Sequence, residues 1–208
     1  LDNNISVTLI EGNHDLVDQE AARGYCHVFD SFDNVRVIDT WGEVGFGDLT
    51  VGLISYFPEN GSFIQKHGEL MDYLDGTDYQ KRILYIHQGI RGALSQPTDD
   101  ELPADMFKKW DKVLVGHYHN RCKFGNIEYI GSSRQHNFGE DEEKGYTILF
   151  SDGDTEFVQN KVNIRYKTLE LSFDEINSHI KETIEDLTQD GYRVRVKILC
   201  DPEQVKSL

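Results

Sequence analysis

The chain has no apolar run approaching the roughly 20 residues that a membrane-spanning helix needs, which excludes such a span. It has only three cysteines, Cys26, Cys122 and Cys200, odd in number and far apart. That excludes a disulfide framework and a zinc signature, and predicts ordinary thiols in a reducing, cytoplasmic setting (nucleoid-associated if the source is bacterial). Basic residues are scarce: 21 Lys and Arg face 37 Asp and Glu, a net charge of −16. Nucleic-acid binders usually carry a basic face, so the overall charge argues against DNA. Internal repeats and low-complexity linkers are missing as well. What remains is a 208-residue chain, 38% hydrophobic, long enough to bury a core and regular enough to be globular.

Against that background three short motifs stand out: Gly12-Asn13-His14-Asp15, Ile86-His87-Gln88-Gly89 and Gly116-His117-Tyr118-His119. Each follows an apolar, β-branched run (residues 5–10, 82–86 and 112–115). The pattern predicts a histidine station at the carboxyl end of each of three buried strands, where open α/β sheets place their ligand sites. His117 and His119 are two apart, so an extended backbone would send both rings to one side. Asn13 adds a neutral oxygen and His87 a third imidazole. Such mixed ligation suits Mn, Fe or Zn better than Mg or Ca, and allows one ion or a pair about 3.5–4 Å apart. His14 adjoins Asn13 and is expected to face the other way, as a general acid, with Asp15 orienting its ring. Any one of these histidines alone would more often be a polar strand end; three in order reverse that reading. His27, His67 and His179 are expected to be surface or satisfied side chains. His136 lies on a loop that could border the site, with an ordinary surface or satisfied side chain the favoured expectation.

The secondary-structure signals alternate at first. Residues 17–32 read as a helix or irregular connector, and Val35–Ile38 as a strand. The segments 43–46 and 49–54 form a hairpin about Gly47-Asp48, and 60–74 a helix with Asn60 as a possible cap. Beyond residue 121 hairpins dominate, about Gly125-Asn126 and Asp152-Gly153. Near Asn160 the pattern becomes strand, helix (173–187, with an apolar stripe at Ile176, Ile180, Ile184 and Leu187) and strand. The prediction is an α/β chain: a two-sheet sandwich flanked by helices over 1–160, then the start of a small α+β domain over 161–208.

The three motifs resemble the last signature blocks of the calcineurin-like metallophosphoesterases. The His-Gln-Gly form of the second, with Tyr129-Ile130-Gly131-Ser132-Ser133 and Phe138-Gly139-Glu140, is most similar to the SbcD-type nucleases of double-strand-break repair. That resemblance implies Asn13, His87 and His117 on one metal, His119 on the other, and His14 as catalytic acid. It also implies two divalent ions, most often manganese, a DNA substrate, a coiled-coil ABC-type ATPase partner of the SbcC type, a possible homodimer, and a C-terminal cap over the DNA path. The family's upstream Asp-x-His and Gly-Asp blocks do not occur here. The expectation is therefore a fragment or one half of a split protein, cut at its carboxyl end too, and inactive alone because its ligands are neutral. The competing expectations are a phosphoesterase for small phosphodiesters or phosphoproteins, which the acidic charge favours, and a non-catalytic scaffold with a degraded site.

Overall fold

A computed structural model describes residues 5–16, 24–58, 62–96 and 101–207. Its centre is a six-stranded mixed sheet built from β3 (Trp41–Phe46), β4 (Leu49–Ile54), β5 (Lys81–His87), β6 (Lys112–Gly116), β7 (Cys122–Phe124) and β8 (Ile127–Tyr129). The order is β3-β4-β5-β6-β8-β7; β4, β5, β6 and β8 run parallel, and β3 and β7 close the edges antiparallel. The hairpin about Gly47-Asp48 forms as predicted, with Gly47 at φ 62°, a conformation that favours glycine.

Alternation along the central strands divides the core in two. Leu84, Ile86, Val113 and Val115 face helix α1 (Ser62–Leu74), which buries Phe63, Leu70, Met71 and Leu74 against them, together with Phe107 and Trp110. Each fully buried side chain of this kind contributes about 1.5–3 kcal/mol. Val51, Leu53, Ile83 and Leu114 face the other way. Ile10 of β1 (Val7–Ile10), Ile38 of β2 (Val35–Ile38) and Leu149 of β9 (Gly145–Leu149) cover that second face.

The predicted second sheet takes a different form. Among the described residues the covering layer is two separate pieces: a parallel β1–β2 pair, and an antiparallel hairpin of β9 with β10 (Thr155–Gln159). Period-two patterning identifies buried faces but not which strands pair. The chain's last part is the predicted β-α-β unit: β11 (Arg165–Ser172), α2 (Ser178–Gln189) and β12 (Tyr192–Leu199), with the strands parallel. The helix starts later than the apolar stripe suggests. Ser172 and Glu175 form a reciprocal capping box on a short 3-10 turn, and the Asn177 side chain then accepts from the His179 and Ile180 N–H groups to start α2. Ile176 is left outside and exposed. Tyr25–Ser31 is also a 3-10 turn, while residues 17–23 and the proposed cap Asn60 lie outside the described residues. No described helix is long and apolar enough to cross a membrane.

Candidate metal centre

β1, β5 and β6 deliver the three stations to one side of the molecule. β5 and β6 pair in parallel with His87 opposite Gly116, so the second and third stations are neighbours by register. β1 lies in the other layer, and Glu11 anchors the turn that follows it. The Glu11 N–H donates to Ser55 Oγ at 3.0 Å, and its C=O accepts from the Tyr56 N–H at 2.8 Å. Its buried carboxylate accepts from the N–H groups of Gly24 and Cys26.

His87 is the centre of the group. Its Nε2 lies 3.0 Å from Asn13 Oδ1, and its ring centroid lies 5.2 Å from that of His117. Glycines hold it on two sides: a Cβ on Gly12 would come within 2.8 Å of the ring, and one on Gly116 within 2.9 Å. Both imidazoles are kept neutral. Burial, then the neighbouring His117, pushes His87 down to about 4 against the pull of Asp15. His117 is lowered by burial first and then by His14 and His119. A neutral imidazole is the form that ligates a metal.

The backbone at the third station is not extended. His117 has φ 96°, and is the sole non-glycine with positive φ among the described residues. The extended backbone on which the same-side expectation for His117 and His119 rests is therefore absent at His117. The His117 ring lies against that of His87, and His119 Nδ1 lies 2.8 Å from Glu140 Oε1 with its ring tilted against His136, centroids 4.7 Å apart. An open cleft of about 610 Å3 adjoins His119, lined in part by Tyr118, Asn137, Glu140 and Asp141. At the first station residues 13–15 form a turn, and Asp15 Oδ2 accepts from the Gly12 N–H at 2.8 Å. His14 is exposed, yet close enough to depress both His87 and His117.

Sequence reasoning missed Glu101. It is buried, accepts from the Tyr118 hydroxyl at 2.6 Å and raises His117 electrostatically. Its Oε2 has no hydrogen-bond partner among the described residues. No motif marks it, because its proximity arises from the bridge pairing Ile90 with Leu102.

Among the described residues no three His, Cys, Asp or Glu side chains form a complete cage for an ion. Asn13 adds an oxygen to the group: its Oδ1 lies at hydrogen-bonding distance, 3.0 Å, from His87 Nε2, and the His117 ring adjoins that pair. His119 stands outside this trio.

No family model matches the chain, but several curated proteins do. It is 25% identical over 206 residues to protein 244L of Invertebrate iridescent virus 6, which carries a phosphoesterase name; the match covers 92% of this chain and 68% of that one. It is 26% identical over 201 residues to the DNA double-strand break repair protein Mre11 of Methanocaldococcus jannaschii, covering 89% and 52%. With exonuclease subunit 1 of Enterobacteria phage T4 the figures are 23% over 170 residues, 76% and 47%. By name these relatives are a phosphoesterase, a double-strand-break repair protein and an exonuclease subunit. They support the metallophosphoesterase and nuclease superfamily as the setting of this site, and the mixed α/β fold is compatible with it. The chain spans about half the length of the Mre11 and phage relatives.

Proposed function

We propose that this chain is part of a metal-dependent phosphodiesterase that cleaves DNA, of the SbcD type. The observation that carries the reading is the convergence of Asn13, His87 and His117, the two imidazoles held neutral, from three separate strand ends. Asn13, His87 and His117 would hold one divalent ion, and His119 would serve a second; manganese is the proposed metal. Such ions, when bound, offset phosphoryl charge and lower the pKa of water. The protein's own part is to orient. Asn13 and His87 fix the trio, Gly12 and Gly116 let the His87 ring approach closely, and exposed His14 is placed to give a proton to the leaving oxygen. Glu101, behind Tyr118, contributes negative charge beside the otherwise neutral ligands.

The β11–α2–β12 unit is the proposed start of a cap over the DNA path. It presents Arg193, Arg195 and Lys197 along one face of β12 within an acidic chain. The proposed partners are DNA, a coiled-coil ABC-type ATPase of the SbcC type and a second copy of the protein, in the cytoplasm.

The deciding experiment substitutes His14 and His87 in the whole protein. His14→Gln should lower cleavage of duplex DNA at least about 100-fold, the scale of general-acid catalysis, with manganese content unchanged. His87→Ala should lose the metal. Equal metal loss in both variants would overturn the assignment of His14 as acid.

A further inference from the structure

His119 is held by a segment that also holds the β11–α2–β12 unit. Its main-chain oxygen accepts from the Ser132 N–H at 3.0 Å and from Lys144 Nζ at 2.6 Å. Its ring Nδ1 meets Glu140 Oε1. The two partners differ sharply in freedom: the Glu140 side chain is 7% exposed, that of His119 51%. Glu140 is fixed by other donors too. Oε1 accepts from Asn137 Nδ2 at 2.9 Å, Oε2 accepts from the His136 N–H at 3.0 Å, and Lys144 Nζ lies 3.7 Å from Oε2. Both Glu140 oxygens already accept from N–H donors, so the carboxyl faces His119 as an acceptor, which directs the ring proton to Nδ1 and leaves Nε2 with its lone pair.

The same segment grips β11. Gln135, itself buried, donates from Nε2 to the Tyr166 C=O at 3.3 Å and accepts at Oε1 from the Tyr166 N–H at 2.8 Å. Nε2 also donates to the Glu140 C=O at 3.0 Å. Phe138 packs edge-on against Tyr166 at 4.9 Å, and Glu142 binds Lys167 at 2.7 Å and the Tyr192 hydroxyl at 2.9 Å.

We propose that Glu140 is a positioning residue that fixes the tautomer and direction of the His119 ring, and that Gln135 ties this setting to the seating of the β11–α2–β12 unit. One amide side chain touches both the peptide of β11 and the residue that aims His119, so displacement of the unit acts first on Glu140. The consequence for a metal at His119 rests on the phosphoesterase reading; the placement of the ring does not. Outer carboxylates of this kind change metal affinity or activity by about 10- to 100-fold.

The test is nitrogen-15 NMR of the imidazoles in the metal-free 208-residue chain above pH 8, where ordinary imidazoles are neutral. His67, whose Nε2 accepts from Trp110 Nε1 at 2.9 Å far from this segment, reports on core integrity. Unaltered chain should show His119 protonated at Nδ1. Glu140→Ala should lose that form while His67 is unchanged, and Glu140→Gln, whose amide oxygen still accepts, should retain it. Gln135→Ala should broaden or shift the His119 signals with Glu140 intact. Retention of the Nδ1–H form in Glu140→Ala would overturn the positioning role. An unaltered His119 in Gln135→Ala, together with rapid exchange of the Tyr166 amide, would overturn the tie to the second unit. If Glu140→Ala loses the His67 signals and is unfolded, Glu140→Gln decides the positioning role. Retention of the His119 Nδ1–H form with His67 unchanged then supports it, and a shift of the proton to Nε2 overturns it.

Discussion

His117 carries backbone strain at the point where it carries chemistry. A non-glycine residue at φ 96° costs on the order of 1–3 kcal/mol. Its ring lies edge-on to that of His87 at this turn. His117→Gly should therefore be more stable than His117→Ala by about 1 kcal/mol, since only glycine adopts this conformation without penalty. Urea denaturation of the two variants measures the difference, and equal midpoints would show that the surroundings absorb the strain. This residue also marks the limit of the sequence reading. The identity of each candidate ligand was legible from short motifs after apolar runs. The direction of each ring was not, because the two-residue rule holds only for extended chain. Glu101 carried no motif signal, and Glu140 was legible only as the end of the Phe138-Gly139-Glu140 segment; the place of each beside the histidines became visible through its contacts.

The elements that support the site are strands whose ends meet, and one of them acts from beneath. Tyr129, at the end of β8, is fully buried. Its hydroxyl donates to the Gln88 C=O at 2.9 Å and accepts from the Ile90 N–H at 2.8 Å, pinning the loop that leaves His87. Burial raises its ionisation far above the usual tyrosine range, so it stays neutral as both donor and acceptor. Tyr129→Phe should cost about 1–3 kcal/mol, the penalty for stranding buried partners. The Ile90 amide should lose protection in hydrogen exchange; full protection there would mean the loop holds itself. At this scale the runs of Val, Ile and Leu announced the central strands, and glycine turns announced the hairpins. The covering layer was harder to read, because alternation identifies a buried face and says nothing about which neighbour completes it. The start of α2 was misplaced for a related reason: the apolar stripe runs through Ile176, while local capping by Asn177 sets the boundary.

Across the whole molecule, the junction between the sheet and the β11–α2–β12 unit is polar and therefore sensitive to acid. Glu142 sits at it, and its carboxyl is lowered first by the hydrogen bond from Lys167, against desolvation, and then by Tyr192. A depressed folded-state value means that its contribution is complete above the ordinary glutamate range and is lost as pH falls through the lowered one. The unit should therefore loosen below about pH 4.5 while the apolar core persists. Limited proteolysis near residues 160–164, compared with near-ultraviolet dichroism of the core tryptophans, checks the order of events; simultaneous loss of both would place the acid-sensitive contact elsewhere. Glu142→Gln should remove most of that pH dependence.

The β1–β2 pair has a thermodynamic consequence of its own. Asn13 follows a ribbon of two strands that lies over the main sheet, held there by Ile10, Ile38 and the Ser55 hydroxyl, which receives the Glu11 N–H and donates to the Ile38 C=O. His87 and His117 stand on the six-stranded sheet itself. A small ribbon opens at lower free energy than a large sheet unfolds. One donor of the proposed trio is thus on the small ribbon and two are on the large sheet. On that reading, the affinity for an ion would be its intrinsic affinity scaled by the fraction of molecules with the ribbon in place. Substitutions beneath the ribbon, at Ser55 or Ile38, would then tune metal occupancy from a distance without altering a single ligand.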